Sequence, residues 1–151
     1  MPETTLKPQL QSDMKASMKS GDKKRLGVIR LMLSAIKQIE VDERIELDDS
    51  RVISVLDKMA KQRRESIAIF TTAARDDLTA IEQAELEIIQ EYLPEALSEA
   101  EIDALIEQSI TTTGATSIKE MGKVMGILKP QLQGRADMGK VSQLIKARLS
   151  T

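Results

Sequence analysis

The sequence of 151 residues contains no cysteine, no histidine and no tryptophan, and its aromatic residues are one phenylalanine and one tyrosine. Without cysteine, the chain has no disulfide framework and no thiolate nucleophile. Without histidine, it lacks the commonest acid–base group near neutral pH and the commonest transition-metal ligand. We therefore expect no catalytic residues, no metal site and no cofactor, and a core built from aliphatic residues and methionine.

Long apolar segments are also missing. The first nineteen residues lack the continuous apolar stretch of a secretory signal, and no apolar run approaches the roughly 20 residues that a membrane-spanning helix needs. Charged residues make up 30% of the chain, which is typical of a well-solvated globular surface. We expect a soluble protein located in the cytoplasm, without a membrane partner.

The charges that are present are segregated along the chain, although the net charge is only −2. Residues 1–75 carry a net charge of +4, residues 76–110 carry eleven acids and no base, and residues 111–151 carry seven bases and two acids. Such a chain can present a basic surface to a polyanion while it remains acidic elsewhere.

Apolar residues recur at helical spacing through almost the whole chain, and no alternating strand pattern is visible. The first helix is predicted to begin after Pro8 and to end at Gly21, where Asp22 caps a second, central helix. Two more helices follow, and the fourth ends before Leu93 because a residue that precedes proline avoids the helical conformation.

Pro94 is the best candidate for a subdomain boundary. Beyond it, Ser98 and Glu101 form a capping-box pattern, Pro130 is predicted to end the next helix, and Asp137 caps the last. The pattern predicts an all-α, multihelical fold with a four-helix N-terminal subdomain at 1–93 and a three-helix C-terminal subdomain at 94–151.

The sharpest functional candidate is the basic C-terminal segment. Its lysines and arginine lie on short, closely spaced elements, where they can converge on a phosphate backbone. Solubilisation of the surface is the alternative role for such lysines. Aromatic stacking platforms are absent here, so recognition of RNA by shape and phosphates is the compatible mode. The predicted RNA-binding residues are Lys119, Lys123, Lys129, Arg135, Lys140 and Lys146.

Other polar and glycine clusters have two interpretations each. Three carboxylates, Glu82, Glu85 and Glu101, resemble a metal or acid–base group, but carboxylates at this spacing usually form a solvated helix face. Gly122 and Gly126 favour either close helix packing or the close approach of a ligand.

Two single residues are also ambiguous. Arg63 falls on an apolar stripe, which predicts a buried pairing with Glu82 or Glu85. Gly139 beside Asp137 leaves open an anion site at a helix start.

Five ordered segments span nearly the whole chain: two long runs, Thr113–Leu149 and Met18–Glu40, and the shorter KQRRES (61–66), AARDDL (73–78) and YLPEALSEAEI (92–102). Together they resemble the GatB/YqeY family. The two long runs look like its C-terminal and N-terminal signatures, and the three shorter segments agree with it in order and spacing.

The resemblance implies a four-helix part followed by a three-helix part. Members of this family are free-standing or form the tail of the B subunit of glutamine-dependent tRNA amidotransferase, which converts misacylated Glu-tRNA(Gln) or Asp-tRNA(Asn) to the amide. The tail contacts tRNA while the catalytic body lies upstream, and this sequence lacks that body.

Two functions are therefore open. The first is an accessory tRNA-binding protein without an active site, for which a family label of carbon–nitrogen ligase activity would describe a complex that includes partner subunits. The second is a protein-interaction module that binds an aminoacyl-tRNA-handling enzyme through an exposed apolar helix face.

Overall fold

A computed structural model describes residues 3–150, and every regular element among them is helical. Four helices precede Pro94: α1 (Leu6–Ser20), α2 (Lys23–Glu43), α3 (Asp49–Thr72) and α4 (Asp76–Gln90). Three follow it, with a 3₁₀ turn (Ile118–Glu120) before the second of them: α5 (Glu99–Thr113), α6 (Met121–Leu132) and α7 (Met138–Leu149). The predicted all-α fold is confirmed. Within 3–150, no helix combines the length and the apolar character needed to cross a membrane.

The chain folds into two compact units, Met1–Leu93 and Pro94–Thr151, which we call unit 1 and unit 2. Each unit has its own cluster of buried aliphatic residues and methionines. That each unit folds independently stays a prediction.

Helix α2 is the centre of unit 1 because it packs against α1, α3 and α4. One side of it is buried, with Ile29, Met32 and Ile36 fully excluded from solvent. The side chain of Asp22 accepts the backbone N–H of Arg25, as predicted for the residue that caps this helix.

Helix α1 begins at Leu6, earlier than predicted. Pro8 therefore lies in the first turn, where a missing N–H costs nothing because the first four N–H groups have no partner within the helix. The Asp49 carboxylate, at the start of α3, accepts the N–H groups of Thr5 and Leu6 at 2.7 and 2.9 Å. A cap from a distant element explains why the local sequence did not reveal this start.

Helices α3 and α4 are joined by an ion pair that the sequence predicted. The Nε atom of Arg63 lies 3.1 Å from an Oε atom of Glu85 and 3.9 Å from one of Glu82. All three side chains are mostly buried, with 17–25% of their surface exposed. The structural role expected for Arg63 is confirmed.

Unit 2 packs α5, α6 and α7 around Ile106, Val124, Leu128 and Ile145. The capping box predicted at the start of α5 is present, with Ser98 and Glu101 exchanging hydrogen bonds.

The prediction that Pro130 ends the next helix is wrong, because α6 continues to Leu132. A proline in the last turn removes only one intrahelical hydrogen bond, and Leu132 is fully buried in the unit 2 core. Burial of that leucine favours the helical continuation.

Candidate nucleic-acid interface

Helices α6 and α7 form a hairpin that carries all the predicted RNA-binding residues except Lys119, which directly precedes it. A five-residue turn, 133–137, joins them. The hydroxyl of Ser142 lies 4.0 Å from the sulfur of Met125, so α7 runs back alongside α6. The hairpin has a turn end and an open end, about 18 Å apart for helices of twelve residues.

The predicted residues divide between these two ends. The turn end carries Lys129, Arg135 and Lys140. The open end carries Lys119, Lys123 and Lys146. Lys119 lies in the 3₁₀ turn before α6, whereas Lys123 lies in α6 itself. The six residues therefore form two basic groups rather than one.

The five lysines of this set are exposed, and none forms an ion pair within 4 Å in the part of the chain that the structure describes. The nearest acid along the chain, Glu120, accepts the backbone N–H groups of Thr116 and Ser117. These hydrogen bonds, chiefly that from Thr116, lower the pKa of Glu120, and the charge of Lys123 contributes less. The carboxylate is thus engaged in capping, and the lysine ammonium groups remain available.

The two arginines of the basic segment are engaged within unit 2. Arg135 is half-buried, its Nε atom donates to the carbonyl of Glu95 at 3.0 Å, and its own carbonyl accepts the N–H of Leu97 at 2.9 Å. Arg148 forms an ion pair with Asp103 of α5 at 3.5 Å. Arg135 therefore has a structural role that the sequence did not reveal, because its partners are backbone groups 38 to 40 residues away.

The two glycines of α6 face open space. A Cβ atom placed on Gly122 or Gly126 would have no neighbour within 4 Å apart from the backbone of its own helix and adjacent residues. Close packing inside the unit, one of the two interpretations of this spacing, is therefore wrong. A bare stretch of helix backbone, flanked by Lys123, is left accessible from outside.

The other candidate sites are occupied by structural contacts. Glu82 and Glu85 pair with Arg63, and Glu101 belongs to the capping box. Among residues 3–150, no three acidic side chains come close enough to hold a metal ion. The N–H of Gly139 is taken by the Asp137 carboxylate at 2.9 Å, so this group does not face an external anion.

Unit 1 contains a feature that the sequence analysis missed, a groove of about 200 Å³ between α2 and α4. The apolar side chains in it come from Val28, Ala80, Ile81, Ala84 and Ile88. The sequence marks it only by an alanine pair at i, i+4, Ala80 and Ala84, beside Ile81.

Comparison with known proteins gives a consistent result over nearly the whole chain. Residues 7–149 match the model of the family described as Yqey-like protein. A similar curated protein is "Altered inheritance of mitochondria protein 41, mitochondrial" from Pyrenophora tritici-repentis, 33% identical over 96% of this chain and 81% of that protein. Proteins with the same name from Eremothecium gossypii and Lachancea thermotolerans are 36% and 38% identical over 74% and 68% of this chain. These two alignments cover 65% and 56% of the relatives, so less than two thirds of their length.

The expectation of a cytoplasmic location is wrong in view of these relatives, which are all named as mitochondrial proteins. It rested on the absence of a secretory signal and of a long apolar run. Neither feature distinguishes the cytoplasm from the interior of a mitochondrion, because a protein in either place needs neither of them.

Proposed function

The chain belongs to the YqeY-like protein family, and on that premise we propose that it is an accessory tRNA-binding protein without an active site of its own. Its relation to glutamine-dependent tRNA amidotransferases is part of this proposal. Any carbon–nitrogen ligase activity would then belong to a complex with partner subunits.

The observation that carries the proposal is the set of exposed lysines on the α6–α7 hairpin, which form no ion pair in the described chain. Unit 2 has seven basic and seven acidic residues, yet five of the acids lie in residues 94–110. Asp103 matches the charge of Arg148, and the Nε atom of Arg135 is held by the carbonyl of Glu95, so the positive charges that can move to meet a ligand are chiefly those of the lysines. A lysine ammonium binds phosphate as a point charge, without demanding a particular base.

The spacing of the two basic groups fits a folded RNA. Groups about 18 Å apart can contact phosphates of different turns or strands, while the accessible backbone at Gly122 and Gly126 permits close approach between them. The interface has no aromatic side chain on which an unpaired base could stack. Recognition by shape and phosphates is therefore the mode that these residues support.

The second candidate function, a protein-interaction module for an aminoacyl-tRNA-handling enzyme, is favoured by one observation. The groove between α2 and α4 exposes apolar side chains on unit 1, away from the basic hairpin in the sequence. The two functions are compatible because they use different units.

The test is a charge reversal on the α6–α7 hairpin and the 3₁₀ turn that precedes it. Lys119, Lys123, Lys129 and Lys140 are changed to glutamate together, and Arg135 is kept because its side chain holds the Glu95 carbonyl. We expect tRNA affinity to fall sharply, and the slope of log affinity against log salt to become shallower by about 0.7–0.9 for each phosphate that the variant no longer neutralises. Each exposed substitution should change stability by no more than about 0.5 kcal/mol, which circular dichroism and urea unfolding will check.

A matched variant controls for net charge. Lys15, Lys19, Lys58 and Lys61 of unit 1 are also exposed and unpaired in the described chain, and their change to glutamate alters the total charge equally. We expect this variant to retain most of the tRNA affinity. Equal losses in the two variants, or no loss in either, would contradict the assignment of the hairpin as the RNA-binding surface.

A further inference from the structure

The segment that leads into α5 is attached to the turn of the α6–α7 hairpin by one residue, Arg135. Its Nε atom donates to the carbonyl of Glu95 at 3.0 Å, and its own carbonyl accepts the N–H of Leu97 at 2.9 Å. The side chain of Leu97 packs against the buried cluster of unit 2, so an apolar contact supports the second bond. Glu95 and Ala96 are exposed, and the bond from the Arg135 side chain restrains them.

The path of the turn does not depend on the side chain of Arg135. The backbone N–H groups of Arg135 and Ala136 both donate to the carbonyl of Leu132, at 2.9 and 3.1 Å. Gly134 adopts the left-handed conformation with a φ of 78°, and Asp137 caps the start of α7. The guanidinium can therefore change its partner while the backbone of the turn stays in place.

The charge of this guanidinium is not matched by an acid. Arg135 forms no ion pair within 4 Å among residues 3–150. Glu101 is engaged with Ser98, whose hydrogen bonds lower the pKa of Glu101 more than the charge of Arg135 does. The carboxylate of Asp137 accepts the N–H of Gly139. The side chain of Arg135 is thus held at the surface by a neutral acceptor, the Glu95 carbonyl, which an anion can replace.

The position of Arg135 gives a phosphate group access to it. It lies between Lys129, in the last turn of α6, and Lys140, in the first turn of α7. Hydrogen bonds from arginine to phosphate are charge-assisted, roughly twice as strong as those between neutral groups, and frequently bidentate. A phosphate that the two lysines attract is therefore a stronger partner for the guanidinium than the Glu95 carbonyl is.

From these contacts we propose that Arg135 is a latch: its side chain holds Glu95 in the free protein and exchanges that carbonyl for a phosphate group that binds at the turn end. The exchange frees Glu95 and Ala96, while the backbone bond between Leu97 and Arg135 keeps the rest of the segment in place. This inference rests on the proposed function, because it takes RNA as the source of the phosphate. It adds that binding of the ligand loosens the segment that leads into α5.

NMR spectroscopy of the full, ¹⁵N-labelled chain tests the latch. The Nε–H resonance of Arg135 reports the partner of its side chain, and relaxation of the Ala96 amide reports the mobility of the segment on the ps–ns timescale. We expect tRNA to shift the first resonance and to increase the mobility of Ala96. Inorganic phosphate should do the same only at a much higher concentration, because a polyanion contacts several lysines at once. Fluorescence anisotropy measures tRNA affinity in parallel.

Two arginine variants of unit 2 form a matched pair. Arg135→Ala removes the latch, whereas Arg148→Ala removes an arginine whose charge Asp103 already matches at 3.5 Å. We expect Arg135→Ala to make Ala96 mobile without ligand, to abolish the further response to tRNA and to lower tRNA affinity about fivefold, since a charge-assisted bond that replaces a neutral one is lost. Arg148→Ala should leave the mobility of Ala96 and its response to tRNA unchanged.

A third variant separates the charge of Arg135 from its hydrogen bond. Arg135→Lys keeps the charge but removes the Nε–H donor, so we expect it to free Ala96 as Arg135→Ala does and to retain more of the tRNA affinity. Circular dichroism checks that each variant keeps the helicity of the wild type.

Four outcomes would overturn the proposal. They are tRNA binding that leaves the Arg135 resonance and the mobility of Ala96 unchanged, the same response of Ala96 to tRNA in Arg135→Ala as in the wild type, equal effects of Arg135→Ala and Arg148→Ala, and equal potency of inorganic phosphate and tRNA. A wild-type chain that does not bind tRNA in the anisotropy measurement would contradict the proposed function itself, so the two failures are distinguishable.

Discussion

The phenolic hydroxyl of Tyr92 donates a 2.5 Å hydrogen bond to the carboxylate of Asp13, which lies 79 residues earlier in the chain. Tyr92 follows α4 and packs against the unit 1 core, while Asp13 lies in the middle of α1. Burial, and then the hydrogen bond to Asp13, raise the pKa of Tyr92 far above its usual value of about 10. This bond attaches the end of the α4 segment to the first helix.

We expect Tyr92→Phe to destabilise the protein by about 1–2 kcal/mol near neutral pH, because a partly buried hydrogen bond to a charged group is lost. The contribution depends on pH. Because the folded state raises the pKa, the unfolded chain releases the phenolic proton first, and the stabilisation is lost as the pH rises above about 10. Urea unfolding of both proteins should show a difference that narrows above that pH. A difference in the free energy of unfolding that does not change with pH would contradict this coupling between folding and ionisation of the phenol. The absorbance of the phenolate reports the titration of this single tyrosine directly.

Arg63 tests the value of the α3–α4 ion pair. Arg63→Ala should destabilise unit 1 by roughly 1–3 kcal/mol, because Glu82 and Glu85 would remain partly buried without their cation. Arg64→Ala is the control, since the neighbouring side chain is exposed and should change stability by no more than about 0.5 kcal/mol. Equal effects of the two substitutions in urea unfolding would show that the pair contributes no more than a surface charge.

The turn between α3 and α4 offers a stabilising substitution. Ala74 is exposed and has a φ of 55°, in the left-handed region, which costs about 1–2 kcal/mol for a residue with a Cβ atom. Ala74→Gly removes that strain at a cost of about 0.4–1 kcal/mol in unfolded-state entropy, so we expect a net gain of about 0.5–1 kcal/mol. Ala73→Gly, at a φ of −81°, should instead destabilise by about 0.4–1 kcal/mol. Thermal unfolding distinguishes the two variants, and a change in stability in the same direction for both would refute the argument.

Limited proteolysis should cut the chain near Pro94. The segment between Gln90 and Glu99 is not helical, and Glu95 and Ala96 within it are exposed. Because each unit has its own apolar core, we expect at least one fragment to keep its helicity. Mass spectrometry locates the cut and circular dichroism measures the helicity. Loss of helicity in both fragments together would indicate that the chain is a single folding unit.

The purified chain should form no amide from glutamine, ATP and misacylated tRNA. The reason is the absence of cysteine and histidine and of any nucleotide-binding motif in the sequence. Turnover by a homogeneous sample that is abolished by Glu85→Gln or Glu101→Gln would contradict this prediction.

Local signals were sufficient to predict most of the fold. Asp22 and Ser98 cap the helices assigned to them, and Gly21 adopts the left-handed conformation that ends a helix. Helix boundaries set by distant groups were not predictable, because the start of α1 depends on Asp49, 43 residues beyond Leu6.

The candidate interface was predictable as a set of charges but not as an arrangement. The sequence identified the lysines and their exposure, yet it did not reveal that Arg135 holds a carbonyl 40 residues away. Nor did it decide whether Gly122 and Gly126 were packed or open, since that depends on the placement of neighbouring helices. The groove on unit 1 was missed because Ala80 and Ala84 become a site only when α2 lies beside them.

The equal numbers of acids and bases in unit 2 affect how it finds a partner. A unit with no net charge, in which four of the seven acids lie on α5 and four of the five lysines lie on α6 and α7, behaves as an electric dipole. The field of a dipole decays faster with distance than that of a net cation. Salt screens it further, over a Debye length of about 8 Å at physiological ionic strength. The lysines therefore act at close range and hardly attract distant nucleic acid. Association should proceed at an ordinary rate, and complexes with the wrong polyanion should dissociate quickly because few other interactions hold them.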